Sequence, residues 1–117
     1  MKYSLLIGRY QPLHVGHITL IRTVLNEGKN VCVALRAQTE ENINENPYSF
    51  EERAEMFYKE FKEEMDSLKL VITLIPDIEE VAYGRKVGWG IREIKLDKAT
   101  EEISGTQIRK ELDIQDN

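Results

Sequence analysis

The stretch Tyr3-Ser4-Leu5-Leu6-Ile7-Gly8-Arg9-Tyr10-Gln11-Pro12-Leu13-His14-Val15-Gly16-His17 decides how the chain is read. Residues 3–7 are a short apolar run stopped by Gly8, the pattern of a buried strand. Residues 15–25 then carry apolar side chains at 18, 21, 24 and 25, a helical spacing, and Gly28 stands where such a helix stops. A strand feeding into a helix leaves the intervening turn at the strand's carboxyl end, where open α/β sheets hold their ligands.

Working outward, residues 30–35 predict a second strand, followed by a polar loop over 38–46 rich in Asn and Glu. Pro47 precedes Ser49-Phe50-Glu51-Glu52, a Ser-x-x-Glu capping box. Phe50, Ala54, Phe57, Phe61 and Met65 then lay one apolar face along the helix. Residues 68–75 read as a third strand, ended by Pro76-Asp77. Fourth and fifth strands are expected at 80–83 and 91–96, separated by Gly84-Arg85-Lys86-Val87-Gly88-Trp89-Gly90. Ser104-Gly105-Thr106-Gln107 repeats the capping chemistry and opens a short helix through Leu112. Alternating strands and helices, with early strands apolar throughout, predict an α/β fold: a parallel sheet of about five strands covered on both faces. One domain is expected over residues 1–113, with 114–117 as a frayed tail.

The bulk numbers fit that size. The chain has 117 residues, 41% hydrophobic and 32% charged, an ordinary globular composition. Its net charge of −5 argues against a general nucleic-acid binder. A small anion is still admissible, since it responds to the charges that line its pocket. Cys32 is the single cysteine and reads as a small core residue, so no internal disulfide forms and a cytoplasmic setting is expected. No apolar stretch approaches the ~20 residues of a membrane span, and no signal peptide or membrane partner is expected.

His14 and His17 are the chain's two histidines, three residues apart and so on one face of a helix's first turn. That turn presents free N–H groups and partial positive charge, a natural phosphate seat. Gly16 between them removes a side chain where a ligand approaches, and Arg9 adds charge from the strand end. A metal site is not expected, because no third ligand is evident. Arg53 and Arg109 each sit early in a predicted helix, a mildly unfavourable place for a cation unless an anion lies nearby. The alternative is surface pairing with Glu51, Glu52 or Glu111. Ser104 suits capping as well as phosphate contact, and Thr106 is the better phosphate donor.

The segment from Gly8 to His17 resembles the signature of the nucleotidyltransferase superfamily, whose hallmark is His-x-Gly-His. Its Gly-Arg-Tyr-Gln-Pro-Leu-His form is most similar to the archaeal-type nicotinamide mononucleotide adenylyltransferases. Asn46-Pro47-Tyr48-Ser49-Phe50-Glu51-Glu52-Arg53 resembles that group's Asn-Pro-Phe and Glu-Arg segment. Ile103-Ser104-Gly105-Thr106-Gln107-Ile108-Arg109 resembles the superfamily's second triphosphate motif. The resemblance implies a Rossmann-like doubly wound sheet and transfer of a nucleoside monophosphate to a phosphorylated acceptor, with pyrophosphate released. It implies that His14, His17 and Arg109 are catalytic and that Gly8, Arg9, Tyr10, Gly16, Arg53, Ser104 and Thr106 bind the nucleotide. Mg²⁺ is expected to arrive with the triphosphate.

The region after the third strand is shorter than in the archaeal group, so the acceptor is not fixed by the resemblance. Arg85, Lys86 and Trp89 are candidate acceptor contacts; the alternative is a basic turn with Trp89 packed inside. The brevity also resembles glycerol-phosphate cytidylyltransferases, but the Gly-Arg-Tyr-Gln-Pro form favours ATP over CTP. Three readings follow: an adenylyltransferase with nicotinamide mononucleotide as first acceptor, a cytidylyltransferase acting on a sugar or polyol phosphate, and a non-catalytic nucleotide sensor. A homo-oligomer is one expected state, though no residue marks its interface.

Overall fold

The computed structural model describes residues 1–84 and 88–95. Its elements run β1 (Tyr3–Gly8), α1 (Val15–Asn26), β2 (Asn30–Arg36), α2 (Phe50–Glu60), α3 (Lys62–Asp66) and β3 (Leu70–Ile75). The strands lie in the order β1-β2-β3 with both pairs parallel. Leu6 is in register with Val33, and Val33 with Ile72. Each crossover steps one strand in the same direction, so right-handed connections put both helical segments on one face.

The core lies on that face. Ile21 and Val24 from α1, Phe57 from α2 and Phe61 meet Val31, Val33, Leu35 and Leu70, with Leu6 and Ile72 packed against them. On the other face Tyr3, Leu5 and Ile7 remain 38%, 58% and 37% exposed. Among the described residues the sheet is therefore three-stranded and covered on one side, where the sequence predicts about five strands and two covered faces. Residues 80–83 form no strand, and Val81 and Tyr83 are exposed. An apolar run that short becomes a strand only when a neighbour supplies ladder hydrogen bonds. Residues 91–95 are also irregular; residue 96, the helix expected over 104–112 and the tail at 114–117 lie outside the described residues. The α/β class with a parallel sheet stands.

The helix ends follow their capping residues. Ser49 Oγ accepts from Glu52 N, and Glu52 Oε1 accepts from Ser49 N, each at 3.1 Å. Glu51 and Glu52 in the first turn and Lys59 in the last complement the helix dipole. The long helix predicted through Met65 bends at Phe61 (φ −123, ψ 36). Phe61 N still bonds Phe57 O, and Met65 N bonds Phe61 O, so the apolar face carries on into α3. Helix α1 gives way to Gly28 at φ 80, a left-handed position that suits glycine.

A later segment is tied to that same end of α1. Arg92 Nη1 and Nη2 donate to the two oxygens of Glu27 at 2.6 and 2.5 Å, and Ile94 packs against the core. The hydrogen bonds from Arg92 hold the Glu27 carboxyl down to about 2. Among the described residues no helix is long and apolar enough to cross a membrane.

Candidate functional site

The site is built at the opposite, amino-terminal end of α1. His14 is the N-cap, with extended backbone (φ −136, ψ 177). Its Nδ1 accepts from Gly16 N at 3.1 Å, and His17 Nδ1 accepts from His14 N at 3.3 Å. Two imidazoles here perform the reciprocal capping usually done by Ser and Glu. Their rings stack with centroids 3.7 Å apart and planes 24° from parallel.

This capping settles the protonation of both rings. A nitrogen that accepts a main-chain N–H carries no proton of its own, so each neutral ring keeps its hydrogen on Nε2. Burial pushes the His14 pKa down. It pushes His17 down to about 3, with the neighbouring His14 charge adding to the shift. Both rings are thus neutral at pH 7 and present Nε2–H as donors. The first turn of α1 contains no acidic residue, so its partial positive charge stays available to an outside anion.

The turn leading into α1 is held by contacts that the motif residues make with each other. Tyr10 takes φ 52, a left-handed conformation uncommon for a bulky residue. Its ring folds back over Gly8, where an added Cβ would stand 2.9 Å from Tyr10 Cε2. Tyr10 is 3% exposed and packs against His17 at 4.5 Å and Phe57 at 5.2 Å between centroids. Burial pushes its hydroxyl pKa well up. The Gln11–Pro12 peptide is cis. Gln11 donates Nε2 to Tyr48 O at 2.8 Å and accepts from Tyr48 N at 2.7 Å.

Arg53 joins this turn to the end of β2. It is 1% exposed, donating Nε to Ser49 O at 3.1 Å and Nη1 to Arg9 O at 2.9 Å and Arg36 O at 2.8 Å. Asn46, 4% exposed, donates Nδ2 to Asn42 O at 2.9 Å and accepts from Gln38 on its main-chain carbonyl. The first two motifs of the sequence are therefore one hydrogen-bonded body.

The structure distributes the expected site residues unevenly. It brings together His14, His17, Gly16, Gly8 and the main chain of Arg9. The Arg9 side chain is outside, 3.8 Å from Glu45. Tyr10 and Arg53, expected to touch nucleotide, are inside, where the first packs and the second braces three carbonyls. Trp89 is 78% exposed, so it is not packed inside, and it lies in the segment that Arg92 ties to the far end of α1. Arg85, Lys86, Ser104, Thr106 and Arg109 lie outside the described residues. Among the described residues no group of three His, Cys, Asp or Glu side chains is placed to hold a metal.

The sequence reading misses Arg36. It ends β2, and its Nη2 donates to Asp77 Oδ1 at 2.6 Å and to Ile78 O at 2.8 Å. Asn42 Nδ2 reaches the other Asp77 oxygen at 3.1 Å. Arg36 lines a cleft with Ile7, Gly8, Ile78, Glu79, Glu80 and Val81, at the carboxyl ends of β1 and β2. The available signal was a lone charge closing the apolar run of residues 31–35, at a strand end where such sheets bind ligands.

The family model described as cytidylyltransferase-like matches residues 5–66. The nicotinamide-nucleotide adenylyltransferase of Methanococcus aeolicus is 28% identical over 132 residues, covering 93% of this chain and 76% of that protein. The nicotinamide/nicotinic acid mononucleotide adenylyltransferase of Acinetobacter baylyi is 38% identical over 77 residues, covering 65% of this chain and 40% of that protein. The nicotinamide-nucleotide adenylyltransferase of Caldivirga maquilingensis is 32% identical over 83 residues, covering 70% and 47%. The chain thus spans three quarters of the first relative and less than half of the other two. No solved structure matches it. A match running from within β1 to the end of α3, more than half the chain, makes this protein a member of the cytidylyltransferase-like family of nucleotidyltransferases.

Proposed function

We propose that the chain is an adenylyltransferase, using ATP and a small phosphorylated acceptor, with nicotinamide mononucleotide the first candidate. The observation that carries this reading is the stacked pair His14 and His17, both neutral, their Nε2–H groups without a partner among the described residues, at the amino end of α1, whose first turn holds no acidic residue. Preorganised donors of that kind stabilise charge that grows during phosphoryl transfer. The relatives carrying adenylyltransferase names favour ATP over CTP.

In the proposed reaction an oxygen of the acceptor phosphate attacks the α-phosphorus of ATP. The bond from that phosphorus to the bridging oxygen breaks, and pyrophosphate leaves with the electron pair. His14 and His17 donate to the triphosphate. Arg9 and, by resemblance, Arg109, Ser104 and Thr106 hold its outer phosphates. Gly16 keeps the approach clear, while Gly8 leaves room for the Tyr10 ring that shapes the turn. Tyr10 and Arg53 keep the turn in shape, whatever further contact the Arg53 guanidinium makes. Mg²⁺ would come in on the triphosphate, held by phosphate oxygens and water.

Mass spectrometry of products, with pyrophosphate release, tests this when ATP and CTP are each offered with a panel of phosphorylated acceptors. A dinucleotide formed from ATP is the expected result. Product from CTP alone would make the chain a cytidylyltransferase. Nucleotide binding without pyrophosphate from any acceptor would make it a sensor.

A further inference from the structure

Arg9 is a motif residue whose side chain does not join the histidine turn. Among the described residues its guanidinium pairs with Glu45, Nη1 to Oε2 at 3.8 Å. That separation is within ion-pair range and too long for a hydrogen bond, so Glu45 holds the charge without using up the N–H donors. The two side chains are 44% and 45% exposed. Water and salt therefore screen the pair, and it shifts an equilibrium by no more than about fivefold. A partner held so loosely is readily exchanged.

The main chain beneath each side chain is anchored. The Arg9 carbonyl accepts from the buried Arg53 at 2.9 Å. Glu45 closes a turn in which Glu45 N and Asn46 N donate to Asn42 O at 3.1 and 2.9 Å. The Asn46 side chain, itself buried, donates to the same carbonyl. The pair thus spans two fixed pieces of main chain, and exchange needs only side-chain rotation.

We propose that Glu45 is a positioning residue for the phosphate site: it holds Arg9 while the site is empty, yields it to the arriving triphosphate, and takes it back as pyrophosphate leaves. This rests on the nucleotidyl-transfer reading above. Arg9 has one charge to give, so a phosphate ligand must break the Glu45 pair, and the strength of that pair is subtracted from the ligand's affinity. The subtraction falls on substrate and product alike. It favours turnover on the product side, where release limits many enzymes.

The test is a double-mutant cycle on Arg9 and Glu45. It reads the dissociation constants of ATP and of pyrophosphate, each with Mg²⁺, by calorimetry on the full chain. Glu45→Gln is expected to bind both ligands about three- to fivefold more tightly. In the Arg9→Met background the same change is expected to move either constant by less than about 1.5-fold, since no cation is left to exchange. Both side chains are half-exposed, so the variants keep the fold, which their thermal midpoints verify. Glu45→Gln binding no more tightly would overturn the exchange and leave nucleotide binding standing. So would an equal gain with and without Arg9, which would make Glu45 a plain repulsive charge. A native chain that binds neither ligand would remove the triphosphate site, and this proposal with it.

Discussion

Gln11 pairs with the main chain of Tyr48 as a neighbouring strand would, its side-chain amide donating at 2.8 Å and accepting at 2.7 Å. Two loops 37 residues apart in sequence are thereby locked together, and Gln11 is 3% exposed. Replacing Gln11 by Glu puts a carboxylate oxygen against the Tyr48 carbonyl in a place that water barely reaches. The expected loss is about 1–3 kcal/mol of stability, read as a lower urea midpoint with an unchanged slope. An unmoved midpoint would mean that the pair contributes nothing.

Arg53 carries a second, separable prediction. A lysine keeps the charge but cannot span the carbonyls of Ser49, Arg9 and Arg36 from one planar group. Arg53→Lys is expected to lose about 1.5–3 kcal/mol of stability. ATP affinity, measured well below the variant's melting point, separates bracing from phosphate contact. If bracing is the whole role, affinity falls only as far as the histidine turn is disturbed.

The helix cap makes stability depend on pH. In the fold the His17 pKa lies near 3, against an ordinary 6.5 in the unfolded chain. Between those values the unfolded chain binds a proton that the folded one refuses, so stability is fully present above pH 6.5 and declines as pH falls toward 3. The slope from this group is at most about 1.4 kcal/mol per pH unit. Urea midpoints should therefore drop between pH 7 and pH 5, and the drop should be smaller in His17→Gln. A His17 ring titrating near 6.5 in NMR would contradict the assigned cap.

The sequence was informative wherever local chemistry decides the outcome. The apolar strands, the 3.6-residue spacing of α1 and the Ser49–Glu52 box are local, and each appears where the pattern puts it, within a residue or two. Arg53 was visible as a cation out of place at a helix start, a position read there as facing a phosphate or pairing with a glutamate; its partners in the structure are neutral. That the partners are three main-chain carbonyls is a tertiary fact, set by how the ends of β1 and β2 meet α2. Tyr10 entered the site list through the family resemblance; that it packs beneath the motif depends on its left-handed backbone, which the residue type does not announce. Residues 80–83 had strand-like composition but no partner strand among the described residues, and pairing, not composition, makes a strand.

The central claim is that both histidines meet the triphosphate through Nε2 while Nδ1 stays bound to the main chain. ¹⁵N NMR of the histidine rings during a titration with ATP and Mg²⁺ tests it most directly. The prediction is two neutral Nε2–H tautomers in the free protein at pH 7, with both Nε2 signals moving on titration and both Nδ1 nitrogens unprotonated throughout. Saturation by ATP with both Nε2 signals unmoved, or a free protein holding its ring protons on Nδ1, would contradict it.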